Sequence, residues 1–437
     1  MTENVFERYF RLKEHGTTVR QEVVGGLVTF MTMAYIIVVN PAILLAAGMP
    51  FGPAMVATIL SAIFGTAIMG IYANRPFAIA PYMGENAFVA YTVVGVLGYS
   101  WQTALGAVFI SGVLLTLLTL TKWRSIMTEA VPNNLKISFA VGIGFFITFI
   151  GLVNSGIVVL GVEGAPVHVG ALNTAPVALA IFGVLLIAAL MIRKVKGAIL
   201  FGILATAIIA FLTGIAAPPE AIYSMPPDVS AVFLQLDVFG ALTWGFFAVI
   251  LTMFTMDFLD TMGTLIGASA KAGFLDENGN LPEIEKPFLA DSLATVFGAV
   301  AGTTTTGTFV ESAAGIEAGG RTGLTALVVA ALFGLGLFFS PLFGAIPAAA
   351  TGPALIIVGL LMMAPIRGLD FQDYAESIPA FAVIVLMSFT YNLGVGLCAG
   401  FVLFPLFKIV QGRIEDVKPA AWVLFVLCLL FFIFYPY

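Results

Sequence analysis

Phe77-Ala78-Ile79-Ala80-Pro81-Tyr82 runs into Met83-Gly84-Glu85-Asn86-Ala87-Phe88, and far along the chain Gly302-Thr303-Thr304-Thr305-Thr306-Gly307-Thr308 runs into Phe309-Val310-Glu311-Ser312. Both stretches are set in apolar sequence, and both begin in residues that read poorly as helix. A proline closes the first lead-in, while glycines and β-branched threonines favour extended chain in the second. The apolar runs that follow, 84-97 and 308-319, fall short of the roughly 20 residues a helix needs to cross a bilayer. An extended lead-in followed by a half-length helix puts a helix N-terminus near mid-membrane. Irregular backbone is tolerated at that depth only when buried in protein or lining a cavity, and paired interrupted segments point to a transporter's binding site.

The rest of the chain is membrane sequence too. Of 437 residues, 60% are hydrophobic and 10% charged, with a mean hydropathy of +1.07, whereas soluble domains run near a quarter charged. The formal charge of -6 is spread over short loops, so no nucleic-acid partner follows from it. Cys398 and Cys428 lie inside apolar segments without His or Cys at ligand spacing, which argues against a disulfide framework or a metal site. Asp276-Glu277-Asn278-Gly279-Asn280 lacks the alternating ligands of a calcium loop. No cofactor is expected. Glu3 to Glu22 is a mixed-charge tail without a cleavage site, so the first apolar run is read as an uncleaved helix.

Fourteen candidate spans are 23-48, 53-73, 84-97, 102-121, 137-153, 174-192, 197-216, 241-268, 288-301, 308-319, 322-346, 350-365, 376-391 and 393-411. From a cytoplasmic N-terminus, all 18 Lys and Arg fall on one side: those of the tail, then Arg75, Lys122, Arg124, Lys136, Arg193, Lys194, Lys196, Lys271, Lys286, Arg321, Arg367, Lys408, Arg413 and Lys418. That is the bias expected of cytoplasmic loops. Re-entrant short runs would preserve the same bias, and 84-97 and 308-319 are the candidates for that. The outer loops 154-173 and 217-240 carry Glu163, Glu220, Asp228 and Asp237 and no basic residue. A fifteenth run, 420-436, leaves open whether the C-terminal extension 412-437 crosses.

Thr32-Met33 recurs as Thr255-Met256, 223 residues on, and Thr103-Ala104-Leu105 as Thr325-Ala326-Leu327, 222 residues on. The offsets pair spans 1-4 with 8-11. Because seven is odd, the second copy enters from the opposite side, an inverted repeat with copies at about 20-217 and 238-411. The expected fold is an all-α polytopic membrane protein, 14 segments in a 7+7 inverted repeat with extended strands leading into elements 3 and 10.

An ionisable side chain at the centre of a membrane helix costs about 2.5–3.5 kcal/mol on insertion scales, so each needs a reason. Asp257, Asp260, Thr261 and Thr264 recur at i, i+3, i+4 and i+7 of the eighth span and share one helix face; the alternative is a packing interface of hydroxyls and protonated acids. The repeat-equivalent of Asp257 is Ala34, so the second copy supplies the acids. Glu311 and Glu85 stand in first turns, where capping alone is the other explanation. Asn86 offers amide donors and an acceptor suited to a polar heterocycle. Asp291 reads as a cap or a tether between half-helices, ahead of substrate contact. Burial disfavours a charged carboxyl, which makes Asp257 or Glu311 the expected proton carrier. Phe88 or Phe309 offers a stacking face, with packing as the default. His15 and His168 read as solvated loop residues, and neither a zinc motif nor an intramembrane Ser/His pair suggests an enzyme.

At these residues the chain resembles the nucleobase-cation symporter 2 family, in particular its azaguanine-type, guanine/hypoxanthine permease-like members. The motifs are Gly25-Gly26-Leu27 through Ala34-Tyr35 and Asn40-Pro41, Met83 to Phe88, Asp257-Phe258-Leu259-Asp260-Thr261 with Gly263-Thr264-Leu265, Ala290-Asp291-Ser292, Val310-Glu311-Ser312 through Gly315, and Gly320-Arg321-Thr322-Gly323. The resemblance implies a uracil-permease-like fold, with spans 1-4 and 8-11 as core and 5-7 and 12-14 as gate. It implies proton-coupled purine uptake, with hypoxanthine and guanine ahead of adenine or xanthine, across a bacterial cytoplasmic membrane. An anion carrier of the same fold is the rival. Asp257, Glu311 and Asn86 are the implied purine contacts, joined by Ala87, Phe88, Val310 and Ser312; Asp260, Asp291, Glu85 and Thr261 are implied coupling or accessory groups. Glu85 departs from the family's apolar residue at its position. The implied partners are the purine and the lipid bilayer, and the apolar gate helices leave room for a homodimer.

Overall fold

A computed structural model describes residues 5–121, 131–162, 165–243, 246–277 and 281–435. Glu3, Lys122, Arg124, Glu163 and Asn278-Gly279-Asn280, all used above, lie outside the described residues. Among the described residues, nine helices are long and apolar enough to cross a membrane, and three shorter apolar ones accompany them. Fourteen runs are therefore not fourteen full-length helices.

The first span is two helices, α1 (Val19–Met33) and α2 (Ile36–Leu45). Between them Ile37 N–H reaches Ala34 O and Val38 N–H reaches Tyr35 O, the tightened i→i−3 pattern that re-aims side chains. Next come α3 (Phe51–Ile71), strand β1 (Ile79–Pro81), α4 (Met83–Ala87) continuing as a π-helix over Phe88–Val96, and α5 (Trp101–Leu120). Then follow α6 (Asn133–Asn154), strands β2 (Val158–Val162) and β3 (Ala165–Val169), α7 (Ala175–Ile192) and α8 (Ala198–Leu212). The second half brings α9 (Phe247–Ala272), α10 (Glu285–Ala301), strand β4 (Thr306–Thr308), α11 (Ser312–Glu317) and α12 (Gly323–Gly336). It closes with α13 (Ala348–Met362), α14 (Tyr374–Phe389), α15 (Leu393–Val410) and α16 (Pro419–Phe434).

Helices α1, α3 and α5 pack on α10 and α12, whereas α6, α7 and α8 pack with α13 and α14, and α14 on α15. α16, 16 residues long, reaches about 24 Å at 1.5 Å per residue. It turns Ala421, Leu424, Cys428 and Phe431 inward and packs on α15 and α9. The outer loop 154-173 is not featureless: β2 and β3 form an antiparallel hairpin, Val158 opposite Val169 and Leu160 opposite Val167. Its β-branched residues suit a strand, and His168, read above as a loop residue, sits exposed on β3.

Two buried charges organise the Lys/Arg-rich end. Glu22, fully buried in the first turn of α1, accepts from Arg321 N–H (2.9 Å), Thr322 N–H (3.2 Å), Thr325 N–H (3.1 Å) and the Thr325 hydroxyl (2.6 Å). It thus caps α12 from the other half of the chain. Close approach makes this possible, since a Cβ on Gly25 would overlap the backbone of Gly320. Lys408, 1% exposed at the end of α15, pairs with Glu376 at 2.7 Å, Asp373 at 3.7 Å and Asp416 at 3.9 Å. Burial raises the Asp373 carboxyl, but the Ala375 amide, Lys408, Gln411 and Arg413 outweigh it and hold the group below the usual range.

Candidate functional site

The two lead-in strands meet. β1 and β4 pair antiparallel, Ile79 opposite Thr308, Ala80 opposite Gly307 and Pro81 opposite Thr306. Tyr82 N–H to Thr305 O and Phe309 N–H to Ala78 O, each 2.9 Å, carry the ladder one residue further at both ends. Each strand is held by a threonine from the preceding long helix of its own half. Thr66 on α3 bonds both N–H and C=O of Ile79, at 2.9 and 3.0 Å; Thr295 on α10 bonds both of Thr306, at 3.2 and 3.0 Å. Buried backbone thus finds partners that lipid cannot supply. From this short sheet α4 and α11 depart, bringing Glu85, Asn86 and Glu311 beside α9.

Four implied contacts are busy within the protein. Asn86 donates its Nδ2 to Asn40 Oδ1 at 2.6 Å, and Asn40 in turn donates to the Thr58 and Thr303 hydroxyls at 2.7 and 2.9 Å. Ser312 Oγ accepts from Ala78 N–H at 3.0 Å. Thr261 donates to Asp291 Oδ1 at 2.7 Å, while Asp291 Oδ2 accepts from Thr308 N–H at 2.7 Å and its hydroxyl at 3.0 Å. Asp291 is therefore a tether joining α9, α10 and β4. Ala87 and Phe88 are buried, and Val310 is 48% exposed.

Other acids are not tied down. Among the described residues, neither carboxyl oxygen of Asp257 or of Glu85 has a hydrogen-bond partner, although both residues are fully buried; the Asn86 Oδ1 is in the same position. Such groups are costly unless a proton or a ligand compensates them. Asp260, on the same face of α9, is half-buried. One turn further on, Gly263 and then Gly267 are exposed, with open space where a Cβ would stand. Glu311 accepts from the Tyr35 hydroxyl at 2.7 Å.

Two aromatic residues stand where the lead-in strands end. The rings of Tyr82 and Phe309 are parallel within 7°, with centroids 6.4 Å apart, against 4.1 Å for the stacked pair Phe64 and Phe297. The Tyr82 hydroxyl meets Thr264 Oγ1 at 3.2 Å. Gly307 is required here, because a Cβ at that position would overlap the Tyr82 ring. Two surface clefts of about 600 and 530 Å³ lie instead around Asp373 on the Lys/Arg-rich rim, and none of these acids lines them. We assign the site to the buried acids, since a shallow rim cleft offers a solute no path through the protein.

Sequence reading missed Tyr35, Asn40 and Tyr82 as site residues. A buried Asn inside an apolar span was a signal for Asn40. Nothing local marks Tyr35 or Tyr82, whose partners are 276 and 182 residues away.

A family model described as a permease family matches residues 20–403. The guanine/hypoxanthine permease PbuO of Bacillus subtilis is 44% identical over 97% of this chain and 99% of its own length. The adenine permease AdeP of Escherichia coli is 40% identical over 99% of this chain and 97% of its own. Among solved structures, the transmembrane domain of a cyanobacterium bicarbonate transporter superposes with a TM-score of 0.65 at 16% identity, covering 87% of this chain and 97% of that one. At that identity the likeness concerns the fold.

Proposed function

Since the chain belongs to the nucleobase-cation symporter 2 family of permeases, we propose that it takes up purine nucleobases across the cell membrane, oxopurines such as hypoxanthine and guanine first, with a proton as coupling ion. The observation that carries this reading is the set of buried polar groups, the Asp257 and Glu85 carboxyls and the Asn86 amide oxygen, that have no hydrogen-bond partner among the described residues. The Tyr82 and Phe309 rings, parallel within 7°, offer faces on which a flat heterocycle can stack. Stacking fixes the plane of the base, and the carboxyls of Asp257 and Glu311 then read its edge. An oxopurine presents adjacent C=O and N–H groups, which suit a carboxyl that can be held with or without its proton and the Asn86 amide oxygen. An adenine preference is the alternative, supported by the adenine permease among the relatives.

Anion carriage, which the fold alone would allow, fits poorly with two buried carboxyls that have no hydrogen-bond partner among the described residues. Alternating access is supported by an asymmetry along the membrane. Thr92 donates to Tyr391 O at 2.6 Å and Asn154 to the Tyr91 hydroxyl at 3.0 Å, latching the third element to α6 and the α14–α15 turn at one end. At the Lys/Arg-rich end α9 faces open space at Gly263 and Gly267.

Uptake of radiolabelled hypoxanthine, guanine, adenine and xanthine into cells lacking their own purine permeases, with and without a protonophore, tests the proposal. Saturable hypoxanthine uptake that collapses with the protonophore is expected. No saturable uptake of any purine sinks it.

A further inference from the structure

Tyr35 stands at the break between α1 and α2, 1% exposed, and its hydroxyl donates to Glu311 Oε1 at 2.7 Å. The bond joins the first span to the element that carries the acid, across the two halves of the chain. Thr32, one turn earlier, adds a bond at 3.5 Å to the Glu311 carbonyl oxygen. The break aims Tyr35 there: the tightened turn at Ala34 and Tyr35 interrupts the helix at the level where Glu311 opens α11.

Packing does not explain the hydroxyl. At the 223-residue offset the repeat-equivalent of Tyr35 is Phe258, also 1% exposed. The same position in the other copy buries a phenyl ring without an oxygen, so the fold needs the ring and not the O–H. A buried phenol without a partner is unfavourable, and here the partner is a carboxyl of the proposed site. A donor aimed at one carboxyl oxygen fixes the plane of the carboxyl.

We propose that Tyr35 is the positioning residue of the site: its hydroxyl orients Glu311 to accept an N–H of the base. This rests on the purine-uptake reading above. Tyr35 itself touches no substrate; it acts through Glu311.

The test is Tyr35→Phe, which keeps the ring that Phe258 shows to be sufficient for packing. Apparent KM for hypoxanthine is expected to rise about tenfold, as for loss of one charge-assisted bond, with Vmax per amount of protein in the membrane within about threefold. Melting of the purified proteins in detergent reports folding separately. An unchanged KM overturns the inference. So does a lowered melting temperature with Vmax reduced and KM unmoved, the signature of a structural role. Absence of hypoxanthine uptake by the unmodified protein overturns the purine reading and this inference together, and is seen before any variant is compared.

Discussion

Asp257 and Asp291 stand on the long helices α9 and α10, and both are fully buried. Asp291 receives three donors, Thr261 Oγ1 and the amide and hydroxyl of Thr308, and ties two helices to a strand. Asp257 receives none among the described residues. A carboxyl whose hydrogen bonds are complete within the protein has little left to offer a ligand. One buried without a partner raises the free energy of the empty protein, and a proton or a substrate relieves that cost. The difference separates architecture from chemistry in two residues that look alike in sequence.

The comparison can be broken by substitution. Asp257→Ala breaks none of the hydrogen bonds seen among the described residues, so the protein is expected to insert and melt normally while purine uptake falls on the order of 100-fold, the loss of one charge-assisted contact to substrate. Retained high-affinity uptake would refute its place in the site. Asp291→Ala strands three donors in the protein interior and is expected to cost ~3 kcal/mol or more, visible as a lower melting temperature in detergent. An unchanged melt would remove Asp291 from its tethering role. Glu22→Gln sharpens the same distinction at the rim. The amide keeps its oxygen for the donors of Thr322 and Thr325 but turns its NH2 toward the Arg321 N–H, at an expected cost of about 1–2 kcal/mol. Here the melting temperature should fall modestly with KM unchanged, and a KM shift without destabilisation would contradict a purely capping Glu22.

The lead-ins were legible because Pro81 in one, and Gly302, Gly307 and the run of threonines between them in the other, gather poor helix formers in one place, and β1 and β4 are the result. The acidic stripe on α9 was legible from its spacing. What could not be read was which acid has partners. Asp291 closes its bonds with Thr308, 17 residues on, and with Thr261, 30 residues back. The hairpin β2–β3 leaves a weak trace in sequence: Val167 and Val169 alternate about His168 on β3, while Val158 and Val159 stand side by side on β2.

By itself the sequence determined a multi-pass membrane chain, a repeat of about 223 residues and two interrupted elements, since each follows from local composition, spacing or self-similarity. Only the tertiary structure decided that the two lead-ins pair with each other, that Asn86 donates to Asn40, that Glu22 caps α12 and that Tyr35 holds Glu311. Hydrogen bonds between residues hundreds of positions apart depend on angles and depths of helices that no local pattern encodes. In a membrane interior they also decide which polar groups are satisfied and which remain for a ligand.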